Sequence, residues 1–117
     1  MPDEAKIDRQ TIEQLKQLVD DEDPDFFADI VKGYIKTTEG SLNELMAAVE
    51  SNDVIKVART AHCLKGASGN VGALRMQEIS FELEKLEKKE DLTGATELLS
   101  DLEEEFAKVT VVLENEI

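Results

Sequence analysis

A chain of 117 residues, 41% hydrophobic and 34% charged, fits one globular domain and is too apolar for a disordered one. Its formal net charge of −14 argues against nucleic acid and against anionic membrane surfaces as partners. With no apolar run near the roughly 20 residues that span a bilayer, no signal-peptide pattern at the amino terminus and a single cysteine that cannot form an internal disulfide, the expected setting is the cytoplasm.

Stretches rich in Ala, Leu, Glu and Lys, with only two prolines, predict helices and no alternating strand pattern. Asp8 can cap a first short helix carrying Ile12, Leu15, Leu18 and Val19 on one face, and the acidic run Asp20–Pro24 ends it. Asp23 followed by Pro24 reads as the start of a second helix, running to about Glu50. Its apolar side is Phe27, Ile30, Val31, Tyr34, Ile35, Leu42, Leu45, Met46 and Val49, and Gly40 is a candidate bend. Ser51-Asn52-Asp53 stops that helix and caps a third, Val54 to about Asn70. A fourth begins near Ala73, with Leu74, Met76, Ile79, Leu83 and Leu86 spaced mostly by threes and fours. Thr93-Gly94 interrupts the chain before a last helix carrying Leu98, Leu99, Leu102, Phe106, Val109, Val112 and Leu113. Short connections make neighbours antiparallel. The expected fold is all-α, an antiparallel four-helix bundle with a short additional N-terminal helix, as a single domain over residues 1–117.

The third helix holds the only histidine, His62. At about 100° per residue, Val54, Val57, Ala58, Ala61, Leu64 and Ser68 form one core-facing arc. His62 lies about 110° from its centre, toward solvent. Its same-face neighbours are Ala58, Lys65, Gly66 and Gly69, three of which have little or no side chain. Glycine inside a helix costs about 1 kcal/mol relative to alanine, and helix capping accounts for Gly72 but not for Gly66 and Gly69 together. The imidazole is therefore expected to stand clear for a bulky partner. Residues 54–77 contain Lys56, Arg59, Lys65 and Arg75 and no acid, a charge of +4 that leaves −18 on the other 93 residues. A basic island around a histidine can hold a phosphoryl group and steer an acidic partner.

The segment from His62 through Lys65, Gly66 and Gly69 to Gly72-Ala73 closely resembles the signature of histidine-containing phosphotransfer domains, His-x-x-Lys-Gly-x-x-x-x-x-Gly, with every fixed position in register. The resemblance extends along essentially the whole chain. It implies a phosphorelay intermediate that moves phosphoryl groups between receiver-domain aspartates, with His62 as phosphoacceptor, Lys65 as its electrostatic helper and Gly66 as the clearing for a docking receiver. It also implies a role for Glu84, 22 residues after His62 on the next helix, as the group that contacts the imidazole, and for the basic Lys88 four residues on. The competing account of Glu84 and Lys88 is an ordinary i,i+4 surface pair. Ile55, two turns before His62 and without a core assignment, joins Arg59, Gly66 and Gly69 as a candidate contact.

The implied partners are receiver domains of response regulators and a hybrid sensor kinase, met by a monomer. No cofactor or metal is expected of the chain itself. It has no Walker-type loop or kinase nucleotide motif, no nucleophile elbow and too few His and Cys for a zinc site. The acidic runs Asp20–Asp25 and Glu103–Glu105 lack calcium-loop spacing and read as solvated faces. Ser68 is expected to bond a backbone carbonyl and Cys63 to be an accessible thiol without a catalytic role. The alternatives are a helical adaptor with an unmodified His62, and a domain of a larger hybrid sensor kinase. The Met1 start and the absence of linkers favour a free-standing protein over the latter.

Overall fold

The computed structural model describes residues 5–18 and 25–117. Five helices make up the fold: α1 (Arg9–Gln17), α2 (Phe26–Glu50), α3 (Val54–Asn70), α4 (Leu74–Lys89) and α5 (Ala95–Asn115). α2 packs on α3, α3 on α4, α4 on α5, and α5 returns to α2, which closes the four-helix bundle. The expected all-α architecture with a short leading helix is the observed one. Among the described residues, the only pairing outside helices is an isolated bridge, Ile7 with Ala73.

Local chemistry sets the helix ends. The Asp8 carboxylate accepts the Gln10 N–H at 3.0 Å, and that of Asp53 accepts the Lys56 N–H at 3.1 Å, each satisfying an orphan donor of a first turn. α3 stops where Gly72 takes φ +77, and α5 starts from Gly94 at φ +86. Both angles are in the left-handed region that glycine enters without a Cβ penalty. α2 begins at Phe26 after Asp25 and runs unbroken through Gly40. The proposed start at Asp23-Pro24 and the inward place of Val19 lie outside the described residues.

The core is aliphatic. Ile12, Leu45, Leu64, Met76, Leu83, Leu102 and Leu113 are completely or almost completely buried, each contributing about 1.5–3 kcal/mol by its removal from water. Leu83 is the central inward residue of α4, and truncating it to alanine would cost about 2–5 kcal/mol. Four expectations are corrected. Leu18, expected on the apolar face of the first helix, is exposed, because α1 ends at Gln17 and Leu18 is the residue that follows it. Met46 is exposed, because Leu45 takes the inward position and Met46 lies a quarter-turn further round. Glu105 is buried rather than solvated: it shares the inward stripe with Leu102 and Val109, and its carboxylate accepts the Lys6 backbone N–H at 2.9 Å. Ser68 shares a 2.8 Å hydrogen bond with the Tyr34 hydroxyl, not with a backbone carbonyl. Burial raises the Tyr34 pKa above its ordinary value, so the phenol stays neutral and can donate.

The segment before α1 straps the bundle. Lys6 accepts from the Leu74 N–H at 3.1 Å, and the Asp8 N–H donates to Gly72 at 2.8 Å. Arg9 and Lys16 both pair with Glu116 at the end of α5. These contacts fix the α3–α4 turn and with it the register of the two helices that carry the histidine and its neighbours.

Candidate functional site

Two surface stripes with the same 4-3-4 spacing lie side by side. On α3 the stripe is Ile55, Arg59, His62 and Gly66, all exposed; on α4 it is Gln77, Phe81, Glu84 and Lys88. Contacts climb α3 as they descend α4: His62 meets Glu84, Lys65 meets Phe81, and Gly69 faces Gln77. The two helices are therefore antiparallel, and Lys88 falls level with Ala58 and Arg59.

The His62 side chain is 68% exposed. Its Nδ1 lies 2.9 Å from Oε2 of Glu84. A carboxylate can only accept, so Nδ1 carries the proton and donates. Nε2 is then the nitrogen with a free lone pair, and it has no hydrogen-bond partner among the described residues. The Lys65 ammonium donates to Oε1 of the same carboxylate at 3.0 Å and lies 2.9 Å from Oε2 as an ion pair. Glu84, only 23% exposed, thus receives two donors from α3. Its carboxyl is held below the usual carboxylate range, first by the hydrogen bond from Lys65 and then by that from His62, with partial burial opposing both. Among the described residues Lys88 has no ion-pair partner, and Glu84 pairs across to α3 rather than along α4.

The glycines differ in what surrounds them. A Cβ added at Gly66 would meet nothing within 4 Å, so the backbone there borders open space beside the imidazole. A Cβ at Gly69 would come within 2.8 Å of the Gln77 side-chain nitrogen. Gly69 is half-buried, and the Gln77 side-chain amide lies over its bare backbone, so it does not border the open face as Gly66 does. Ile55 is 54% exposed, and Cys63 is exposed.

Sequence reasoning passed over Phe81. The residue is 45% exposed, and its ring carries two ammonium groups, Lys65 at 4.9 Å and Lys85 at 4.7 Å from the centroid. One signal was available: Phe81 is the large apolar residue of α4 that does not fit the Met76, Ile79, Leu83, Leu86 core spacing.

This bundle, with one exposed imidazole braced on a carboxylate of the neighbouring helix, has the form of a histidine phosphotransfer domain. The Hpt domain family matches residues 29–111, and the chain belongs to that family. It is similar to the crystal structure of histidine-containing phosphotransfer protein B from Pseudomonas aeruginosa PAO1, at 27% identity and a TM-score of 0.87, covering 95% of this chain and 93% of the other. It is also 27% identical to multistep phosphorelay regulator 1 of Schizosaccharomyces pombe over 85% of this chain, but spans only 34% of that protein. To histidine-containing phosphotransfer protein 1 of Arabidopsis thaliana it is 27% identical, over 95% of this chain and 73% of the relative. Members of this family are phosphorelay intermediates, carriers of a phosphoryl group rather than classical enzymes. No described helix is long and apolar enough to cross a membrane.

Proposed function

We propose that residues 1–117 form one phosphocarrier domain, in which His62 accepts a phosphoryl group from an aspartyl phosphate of one receiver domain and passes it to an aspartate of another. The observation that supports this reading is the 2.9 Å contact between Nδ1 and Glu84: with the proton on Nδ1, Nε2 is the free nucleophile on an exposed ring.

In the accepting step the Nε2 lone pair forms a bond to phosphorus as the phosphorus–oxygen bond to the aspartyl carboxylate breaks, releasing that carboxylate. The ring keeps its Nδ1 proton and becomes cationic, and the Glu84 carboxylate beside Nδ1 stabilises that charge. Delivery is the reverse sequence at a second receiver. Such transfers need positioning and charge stabilisation more than covalent help. Lys65 supplies positive charge next to the site. Its pairing with Glu84 also tempers the repulsion between that carboxylate and the phosphoryl oxygens.

The receiver would bring the phosphoacceptor aspartate and its divalent cation; this chain brings no kinase machinery. The docking face is the stripe Ile55, Arg59, His62 and Gly66, with Lys88 at its α4 edge: one apolar contact, a clearing and positive charge in an otherwise acidic protein. Receivers with acidic active-site rims fit that charge. The proposed partners are receiver domains and a hybrid sensor kinase, met by a monomer in the cytoplasm. A helical adaptor with an unmodified histidine leaves the paired imidazole and the cleared glycine without a purpose.

The test is incubation with a phosphorylated receiver. Label should appear on the chain as acid-labile, base-stable phosphate, and His62→Gln should abolish it while the far-UV circular dichroism stays helical. Full labelling of the variant would overturn the assignment.

A further inference from the structure

Phe81 is a large aromatic residue on the surface of α4, 45% exposed and outside the hydrophobic core. It stands one turn before Glu84, on the stripe that borders the histidine. The Lys65 ammonium is 4.9 Å from its ring centroid and bonds Glu84 at the same time. A lysine on a helix surface is long and flexible, and fixing it loses rotamer entropy. Lys65 is nevertheless held on two sides, by a carboxylate and by the negative face of an aromatic ring, a recognised attraction for ammonium groups. Lys85 lies over the same ring at 4.7 Å while pairing with Glu82 at 2.8 Å.

We propose that Phe81 is a positioning residue of the phosphotransfer site, its ring seating the Lys65 ammonium against Glu84 and beside the imidazole. This rests on His62 being the phosphoacceptor. In this role Phe81 acts through Lys65, the ammonium its ring holds. With the ring present, Lys65 is already in place when charge develops on the phosphoryl oxygens, and little reorganisation is needed. Without it, Lys65 spends part of its time in solvent, and Glu84 faces the site less neutralised.

The experiment uses phosphoramidate as donor, so that receiver docking does not enter. Nε2 attacks phosphorus, the phosphorus–nitrogen bond of the donor breaks, and ammonia leaves. The rate of His62 labelling is compared among wild type, Phe81→Leu, Phe81→Tyr, Lys65→Ala and the double variant Phe81→Leu with Lys65→Ala. An exposed cation–π contact corresponds to about a two- to fivefold effect. Phe81→Leu should slow labelling by that factor, Phe81→Tyr should restore it, and Phe81→Leu should add nothing once Lys65 is alanine. In the unmodified protein, the Lys65 ε-methylene protons should show a ring-current upfield shift that Phe81→Leu removes and Phe81→Tyr keeps.

A labelled wild type with Phe81→Leu equally fast, or Phe81→Leu slowing transfer by the same factor without Lys65, overturns the positioning role alone. A Lys65 signal unmoved by Phe81→Leu also overturns it. A wild type that takes no label on His62 from phosphoramidate or from a phosphorylated receiver overturns the phosphoacceptor reading, and this proposal with it.

Discussion

Replacing Gly66 by alanine should make the protein more stable and a worse phosphorelay partner. The added Cβ meets nothing within 4 Å, so there is no steric penalty to set against the helix gain. Glycine in a helix interior costs about 0.5–1 kcal/mol relative to alanine, mainly through the entropy of the unfolded chain. Gly66→Ala should recover that amount, raising the melting temperature by about 2–6 °C for a chain of this size. Gly33 and Gly40 on α2 make internal controls, since a Cβ there also meets open space. Gly33→Ala and Gly40→Ala should stabilise by similar amounts. Urea denaturation followed by circular dichroism measures the stabilities, and calorimetric titration with a receiver domain measures docking. Only the Gly66 substitution should weaken docking, and Gly66→Gln should block it, because only Gly66 borders the imidazole. If Gly66→Ala stabilises the fold and both Gly66 variants dock and transfer normally, the clearing is not there for a partner. If Gly66→Ala destabilises, the open space inferred at this backbone is wrong.

Gly72→Ala should be destabilising, by about 2–4 kcal/mol, because φ is +77 and the new Cβ would lie 2.9 Å from the Asp8 carbonyl oxygen and 3.0 Å from the Thr11 Cβ; denaturant unfolding measures it, and a loss under 1 kcal/mol would contradict the strap geometry. Lys65→Ala should slow transfer from a saturating phosphorylated receiver by about 10- to 100-fold, or about 1.4–2.7 kcal/mol of transition-state stabilisation, and an unchanged rate would remove its electrostatic role. The same variant should raise the Glu84 pKa toward the ordinary carboxylate value, since the Lys65 hydrogen bond is the first cause of its depression; carbon-detected NMR titration of the Glu84 carboxyl reads this directly. The sign of the acid response follows: Glu84 holds its proton less tightly when folded, so its pairing contributes fully above the unfolded carboxyl pKa of about 4.3 and is lost as pH falls through the lower folded value. Wild type should therefore lose the Lys65–Glu84 contact only on acidification below that range, visible as release of the Lys65 resonances, and release beginning near neutral pH would count against it.

Much of this molecule was readable because its signals are local. The third helix is bounded by residues adjacent to it, Asp53 at one end and Gly72 beyond the other, and its predicted span is the observed one. The His62 face could be read because helical geometry fixes which neighbours share a side within one turn. Glu84 was reachable only through a family spacing, since no pattern within α4 says which carboxylate turns toward α3. What stayed hidden depends on pairs distant in sequence. Glu105 looks like one acid in a solvated run until Lys6, 99 residues away, supplies its donor. Ser68 finds a partner on α2 rather than on its own helix. Phe81 is marked in the sequence only by falling off the core spacing of α4, and its partner Lys65 comes from another helix.

The arrangement at Glu84 resolves a conflict that the residue types alone leave open. In the proposed transfer, a carboxylate behind the imidazole would fix the proton on Nδ1 and stabilise the cationic ring formed by phosphorylation at Nε2, and both effects would favour transfer. The same negative charge disfavours the arrival of a phosphoryl group carrying further negative charge. An acceptor without charge, such as an amide, would keep the tautomer and lose the stabilisation of the cation. Pairing the carboxylate with Lys65 keeps the directional hydrogen bond, which depends on the oxygen lone pair at 2.9 Å, while reducing the longer-range repulsion, which depends on net charge. The basic island extends this logic outward. If receivers dock on this face as proposed, Arg59, Lys65 and Lys88 would attract an acidic rim to the histidine while the acidic remainder of the chain repels it. In that reading the acidic body and the basic island act together, each making the other more selective for where a partner lands.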